Sequence, residues 1–419
     1  MIRRILSNVL LKIRPDAVYS KNEMSFIKLL IIQITKNVPR SAKVVLTGSM
    51  AKGTFLKSDR DIDIFVLFPV KTPRQKFEPS LKKIMKKSFS GLHYSLSYAE
   101  HPYARFHYEG RRIDLVPAYN IKNASERLSA VDRSVLHTKF VKGKISVSMR
   151  DDVLLLKQFL KSNLLYGAEI KIQGFSGYLC ELLIIRHGSF LRLLRSASGW
   201  KLPVAFDLLN KPTPAVFKKF NSQFVFIDPT DSNRNVAAAL SEENIRQFTA
   251  LAKNFLKKPS ENIFFRTPET INQKAIRLKK KFSVSLVTLP KPDVVDDVLW
   301  GQINSLISRL KQELSSFSPY GIFAAADDSS IRLLVATSIG KLPAKVEVCG
   351  PPLSMKSHLS KFKKAHTGAR FMAKKGKIVA IEHQRQTRVE EQLKHVLGNI
   401  LKNYSHLNYP VSKIKFHVL

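Results

Sequence analysis

The sequence predicts a multidomain α+β protein: an α/β head over residues 1–145, a helical central region over 146–266, and α+β body and tail regions over 267–419. Three observations carry this expectation. The chain has 419 residues, enough for two to four ordinary domains with large cores. Short β runs alternate with helical periodicity toward both ends, whereas helical spacing dominates the middle. Pro203, Pro212 and Pro214 break that middle into separate pieces.

The elements follow in chain order. Residues 1–37 read as two helices parted by Arg14-Pro15-Asp16. Residues 43–47 form a short β run ended by Gly48-Ser49, and residues 61–68 form a second, closed by Pro69. A basic helix occupies 77–89 with Leu81, Ile84 and Met85 on its apolar side, and 92–98 and 112–116 read as further strands. A helix over 151–165 buries a stripe of Val153, Leu156, Leu160 and Leu164 before Gly167 stops it. Another covers 177–186, a β run covers 224–227, and Ser241 with Asn244 opens a helix. Farther on, 282–289, 331–337 and 345–349 read as strands, and 298–314 and 389–400 as helices. Pro351-Pro352 separates the last strand from a basic stretch.

Charge narrows the function. Lys and Arg number 70 against 32 Asp and Glu, a formal net charge of +38. Such an excess opposes folding by self-repulsion unless a polyanion uses it; nucleic acid leads, and an anionic membrane surface follows. A hydrophobic fraction of 44% and a mean hydropathy of −0.11 exclude a charge-dominated disordered chain. The apolar runs at 26–34 and 62–68 are too short to span a bilayer. The basic opening Met1-Ile2-Arg3-Arg4 leads into no long apolar core, so a secretory signal is not expected. Cys180 and Cys349 build neither a disulfide framework nor a zinc set. The expected compartment is the reducing cytoplasm.

The sharpest local signal is Gly48-Ser49 followed by Asp61-Ile62-Asp63. Residues two apart on a strand share a face, so Asp61 and Asp63 point together while Ile62, Ile64 and Val66 point away. Two like charges that close favour protonation unless a cation compensates, and magnesium prefers such hard oxygen ligands. Asp114, in Arg112-Ile113-Asp114-Leu115-Val116, is a third carboxylate if its strand lies beside the first. Three carboxylates can hold two divalent ions for phosphoryl chemistry. Gly48 permits a tight turn, after which Ser49 and backbone N–H groups can grip phosphate at a helix start. Asp-x-Asp alone is also a common solvated strand end; no Walker loop is present.

The stretch Gly48-Ser49-Met50-Ala51-Lys52-Gly53-Thr54-Phe55, with Asp61 through Pro69, resembles the archaeal-type, class I CCA-adding enzymes, tRNA nucleotidyltransferases of the polymerase β superfamily. The resemblance runs on through Tyr98 to Tyr103, Ile113 to Pro117, Ala130 to Ser134, Tyr166 to Glu169, Gly174 to Leu183, Asp228-Pro229 and Arg234 to Ala238. Lys291 to Asp297 is similar too, so the likeness covers nearly all of residues 1–300 and, more loosely, the rest. It implies a polymerase β-like catalytic head, a central domain that recognises nucleotide and base, and body and tail domains that bind tRNA. It implies Asp61, Asp63 and Asp114 as catalytic and metal-binding, with two Mg²⁺ ions, and CTP and ATP as substrates. It implies Ser49, Lys52, His101, His137, Lys157 and Tyr166 around the nucleotide and Arg234 on the base. Lys52 stands where the family commonly has arginine. The implied partner is tRNA, held by its acceptor and T arms; a homodimer stays open, and no membrane is implied.

Each of these residues has a structural alternative. His101 before Pro102 can pin a turn, and His137 can be an ordinary core histidine. Lys157 can snorkel beside its apolar stripe. Tyr166 can be a packing residue, and Arg234 half of an ion pair. Arg105 and Arg133 are further cations for a phosphate or a carboxylate, and Glu100 reads as a surface group. Between residues 356 and 388 ten Lys or Arg face one acid, Glu382, with Phe362 and Phe371 interleaved. That run reads as an RNA-backbone surface, its alternative being a solvated face. The rival functions are a related template-independent polymerase, such as a poly(A) polymerase or oligoadenylate synthetase-like enzyme, and an RNA-binding protein with an inactive head.

Overall fold

Two N-terminal helices, α1 (Ile2–Ile13) and α2 (Ala17–Thr35), flank the Arg14-Pro15-Asp16 break. Asp16 starts the second by accepting the Tyr19 N–H at 2.7 Å. The computed structural model describes residues 1–59, 61–98, 102–383 and 386–418. It divides into two units, Met1–Pro268 and Glu269–Leu419.

The first unit holds a five-stranded sheet in the order β1-β2-β5-β4-β3. Its strands are β1 (Lys43–Leu46), β2 (Asp61–Phe68), β3 (Tyr94–Tyr98), β4 (Pro102–Tyr108) and β5 (Arg111–Tyr119). Helix α3 (Gly48–Lys52) links the first two strands, and α4 (Phe77–Ser88) follows the second. β2 and β5 run parallel with Asp63 opposite Asp114, while the other pairs are antiparallel. The period-two alternation sends Ile62, Ile64, Val66 and Phe68 into one core with Ile27 and Leu30 of α2 and Leu81 and Ile84 of α4. The other face carries Asp61 and Asp63, then Phe65 and Leu67, which pack with Val131 and Val135. Strand β4 has no counterpart in the sequence reading. Arg105 and His107 interrupt its apolar signal, yet Ala104 and Phe106 point into the core.

The rest of this unit is mostly helical: α5 (Arg133–Lys144), α6 (Val147–Lys161), α7 (Gly177–His187), α8 (Phe190–Ala197), α9 (Ala215–Phe220) and α10 (Glu242–Lys257). A small sheet, β6 (Val204–Phe206), β7 (Phe224–Asp228) and β8 (Asp231–Asn235), sits among these helices. Helix α6 starts before the expected 151 because Ser146 caps it, accepting the Met149 N–H at 3.2 Å. It also ends at Lys161, which corrects the place of Leu164. Leu164 lies past the helix in left-handed backbone, φ +58°, and is 57% exposed; Leu165 is buried instead. Phe159 centres the core, with the rings of Phe190, Phe248, Phe255 and Phe264 at 5.7, 6.3, 6.0 and 5.6 Å.

The second unit begins with α11 (Ile271–Lys279) and contains a sheet in the order β10-β11-β9-β15. Its strands are β9 (Ser283–Pro290), β10 (Pro319–Ala326), β11 (Ser330–Thr337) and β15 (Lys415–Val418). Helices α12 (Asp296–Glu313) and α14 (Val389–Ile400) share its core through Leu299, Ile303, Leu306, Leu393 and Leu397. A second sheet, β12-β14-β13, combines β12 (Lys345–Pro352), β13 (Arg370–Lys374) and β14 (Lys377–His383) with helix α13 (Lys356–Ala365). Pro351 and Pro352 thus end a strand rather than follow it, at a register shift after Cys349. No residue of α13 is buried, so the lysines counted there face solvent. Arg385, counted in the same run, lies outside the described residues.

Phe159→Ala removes the ring that four others share. It is expected to destabilise the first unit by about 3–5 kcal/mol, as phenylalanine-to-alanine truncations in packed cores do. Urea unfolding followed by far-UV circular dichroism checks this.

Candidate active site

The parallel register of β2 and β5 sets Asp63 beside Asp114 on the sheet face that also carries Asp61. Gly48, at the start of α3, has φ +67°, and a Cβ there would lie 1.9 Å from Asp63 Oδ2. Only glycine fits the turn and lets the backbone approach the carboxylate. The Thr47 N–H donates to the Asp63 carbonyl at 2.9 Å, pinning this turn to the strand. Ser49 follows at the start of α3, partly exposed.

The three carboxylates differ in their partners. Arg105 on β4 grips Asp114 with both arms, Nε to Oδ1 and Nη2 to Oδ2, each at 2.7 Å. Arg112 on β5 pairs with Asp61. The Asp63 carboxylate has no hydrogen-bond donor among the described residues. Burial pushes its pKa up to about 6, with Asp114 and Asp61 adding repulsion. Asp61 is also raised, first by burial, with Arg112 opposing. Among the described residues no three His, Cys, Asp or Glu side chains form a closed ligand set. The donor chemistry still fits magnesium: three hard carboxylates on one face, one of them buried and destabilised by its own charge.

Beside these carboxylates lies a cluster of lysines around Glu181 of α7. The Lys52 ammonium donates to Glu181 Oε2 at 2.6 Å and Thr54 Oγ1 to Oε1 at 2.6 Å. Lys157 donates to the Thr54 carbonyl at 2.7 Å, and burial lowers its pKa. Lys157 is only 2% exposed, so it does not snorkel. Of these two buried ammonium groups, Lys52 pairs with the Glu181 carboxylate and Lys157 is held by the Thr54 carbonyl beside it. Tyr166 joins them, since its hydroxyl and the Lys157 ammonium would lie 3.0 and 3.7 Å from a Cβ on Gly177. Burial pushes the Tyr166 hydroxyl pKa up, keeping it protonated. Glu181 was absent from the expected site; a lone charge inside the apolar run Leu179-Cys180-Glu181-Leu182-Leu183 is the signal that marks it.

A second buried carboxylate, Asp228 at the end of β7, gathers the base-facing candidates. His137 Nε2 lies 2.8 Å and Arg234 Nη1 2.9 Å from its Oδ2. The Tyr178 hydroxyl and the Thr230 N–H and hydroxyl donate to Oδ1, at 3.2, 2.9 and 2.8 Å. Burial alone would raise the Asp228 pKa, but His137 and these other donors hold it well below the usual carboxylate range. The His137 ring stacks on Tyr178 at 4.0 Å. Burial is the largest influence on its pKa and lowers it, so the neutral ring directs its Nε2 proton at Asp228. Tyr178 also lies under the Lys52 ammonium, 6.0 Å from the ring centre, which joins the two clusters. Arg133 turns instead to Asp231, at 3.0 Å. His101 and Glu100 lie outside the described residues.

Fold and site together define a polymerase β-like nucleotidyltransferase: paired strand carboxylates, a Gly-Ser turn against them, and a buried lysine cluster around Glu181. Three family models match the chain. They are a nucleotidyltransferase domain over 27–137, the second domain of tRNA nucleotidyltransferase over 151–265, and the C-terminal domain of CCA-adding enzyme over 281–404. A CCA-adding enzyme of Methanocaldococcus jannaschii is 33% identical over 422 residues, covering 96% of this chain and 92% of that protein. That of Sulfurisphaera tokodaii is 36% identical over 362 residues, covering 84% and 83%. A cytoplasmic RNA terminal U-transferase structure matches 64% of this chain and 98% of its own with a TM-score of 0.51 at 14% identity, a likeness of fold alone. The chain belongs to the archaeal-type CCA-adding enzymes, and is thus a tRNA nucleotidyltransferase.

Two outcomes test the electrostatics. The folded Asp63 value near 6 lies above the usual carboxylate range, so the folded protein keeps this proton through the interval between them. Raising the pH through 6 therefore removes stability at this site, and Asp63→Asn escapes the loss. Without added magnesium the variant is expected to be more stable at pH 7.5, by on the order of 1–2 kcal/mol. The difference should close as pH falls from 6 to 4, and thermal unfolding across that range measures it. Asp228→Asn weakens the anchor of His137 and Arg234. Single-nucleotide incorporation of C and of A is expected to slow at least tenfold, with the tRNA dissociation constant kept within about twofold.

Proposed function

We propose that this enzyme restores tRNA 3′ ends in the cytoplasm by adding C, C and A from CTP and ATP without a nucleic-acid template, releasing pyrophosphate. The pairing of Asp63 with Asp114 beside the Gly48-Ser49 turn is the single observation that carries this reading. Asp61, Asp63 and Asp114 would hold two Mg²⁺ ions, which supply charge neutralisation for the triphosphate and activation of the attacking hydroxyl. For Asp114 to serve as a ligand, Arg105 must release at least one of its oxygens.

The chain's own residues supply position and charge. Ser49 and the start of α3 face the triphosphate, while Lys52 and Lys157 give the cleft a positive wall with Glu181 fixing where those charges sit. Tyr166 packs against that wall. Asp228 holds one arm of Arg234, leaving its remaining donors for the base edge. Cytosine offers acceptors at O2 and N3 and adenine at N1, whereas uracil N3 and guanine N1 carry protons that meet donor with donor. His137, neutral and stacked on Tyr178, flanks that edge. Preorganised position and charge, rather than a covalent intermediate, carry the rate.

The test gives purified enzyme tRNA transcripts lacking one, two or three terminal nucleotides, with CTP, ATP or both, and sequences the products. Addition that halts after the three-base end is expected; a growing homopolymer of A would overturn the reading in favour of a poly(A) polymerase. Asp63→Ala and Asp114→Ala are expected to abolish both additions while leaving tRNA binding largely intact, as filter binding would report. On the exposed face of α13, Lys361, Lys363 and Lys364 are proposed to touch the tRNA backbone. Changing all three to Ala is expected to weaken many tRNAs alike and reduce the slope of log affinity against log salt by about 2–3.

A further inference from the structure

Helix α5 has a second working face. His137 points to Asp228, but Leu136, Phe140 and Gly143, rotated by roughly a quarter turn on a helix of 100° per residue, line a separate hollow. Its volume is about 420 Å³, and Lys122, Lys139 and Lys144 rim it. A second hollow of about 350 Å³ shares the lining residues Phe140 and Lys144 with it and is bounded by Ile185, Arg186 and Leu208. Each has the size of a small-ligand site.

The chemistry of the pair is distinctive. The side-chain cations of Lys122, Lys139, Lys144 and Arg186 have no carboxylate partner among the described residues, whereas in the candidate active site Lys52 is paired with Glu181 and Lys157 is held by the Thr54 carbonyl. The one acid on the rim, Asp207, accepts the Leu209 N–H at 2.8 Å and so is partly satisfied within its own loop. The floor is apolar and includes an aromatic ring that is not fully covered, since Phe140 packs only its inner side on the core. An apolar floor with an aromatic face, framed by unpaired cations, fits a base that stacks and a phosphate that is neutralised. Thr230 forms part of the first hollow's wall and donates two hydrogen bonds to Asp228. The hollow therefore borders the cluster assigned to base reading.

We infer that these two adjacent hollows seat unpaired nucleotides of an RNA single strand, stacked on Phe140 with their phosphates on Lys122, Lys139 and Lys144. The inference rests on the proposed tRNA reading and deepens it: the surface takes the single-stranded end of the RNA rather than its double-stranded arms. Stacking on one aromatic face is tolerant of base identity, which suits a strand whose end changes at each addition.

The test compares two fluorescein-labelled probes by anisotropy at fixed salt: a hairpin with a four-nucleotide unpaired 3′ end, and the same hairpin made blunt. The Lys139→Glu/Lys144→Glu variant changes only exposed side chains. It is expected to weaken the overhanging probe at least tenfold and the blunt probe less than threefold. Phe140→Leu keeps an apolar residue against the core and is expected to weaken only the overhanging probe, three- to tenfold, with far-UV circular dichroism unchanged. On tRNA lacking its terminal A, both variants should raise KM for tRNA with kcat within about twofold. Equal losses on both probes, or no loss on either, would overturn the seat. So would displacement of the overhanging probe by free CTP or ATP without magnesium, which would assign the hollow to a mononucleotide. CCA addition by these variants at saturating tRNA keeps the functional reading separate, because that reading fails only if the unaltered enzyme does not add C, C and A.

Discussion

The carboxylate site depends on the parallel strand pair in the head sheet. Pairing β2 with β5 in this register puts Asp63 against Asp114 on a face already holding Asp61, and it concentrates negative charge where burial makes it costly. The rest of the site manages that charge. Arg105 and Arg112 neutralise the two more accessible carboxylates, while Asp63 keeps its repulsion and its raised pKa. A divalent cation held here, as proposed, would relieve Asp63 and would compete with the bidentate Arg105 guanidinium for Asp114. A guanidinium stays charged at any relevant pH, so this competition is set by cation concentration rather than by proton release from the arginine.

The cationic side of the cleft follows the same logic with signs reversed. Glu181 and Asp228 are both buried acids whose oxygens are fully engaged by neighbours. Each fixes a set of donors whose positions a flexible side chain would otherwise blur. Glu181 places Lys52, and Asp228 places His137, Tyr178 and Arg234. Breaking such a pair leaves a buried charge without compensation, which costs more than the pair itself contributes to stability. These two acids therefore give geometry, and the fold supports them for that purpose.

The head was the most legible part of the sequence. Strict alternation over 61–68 and the Gly-Ser turn before it are local signals, and both strand and turn form where they predict. Helix 389–400 was equally plain from its period, as was the break at Pro15. Strand β4 was hidden because Arg105 and His107, on its outward face, break the apolar pattern. Leu164 was misplaced because the helical period says nothing of a chain that leaves the helix at Ser162. The carboxylates could be read as a group from spacing, but their partners could not: Arg105 meets Asp114 only through antiparallel pairing of β4 with β5. Glu181 lies more than a hundred residues from Lys52, and Asp228 lies far from His137 and Tyr178, so no period joins them.

The distribution of unpaired cations gives the net charge of +38 a structure. A sum that large says only that a polyanion is near; what matters is which positive groups already have partners. Inside the cleft, lysine and arginine are held by carboxylates and carbonyls, so their positions are set before any substrate arrives. On α13 and along the outer face of α5 the cations stand free of carboxylates among the described residues, on side chains long enough to follow a flexible backbone. Were the proposed RNA to meet these faces, unpaired ammonium groups on long side chains would neutralise phosphates without demanding one register, whereas the paired cations would hold a fixed geometry.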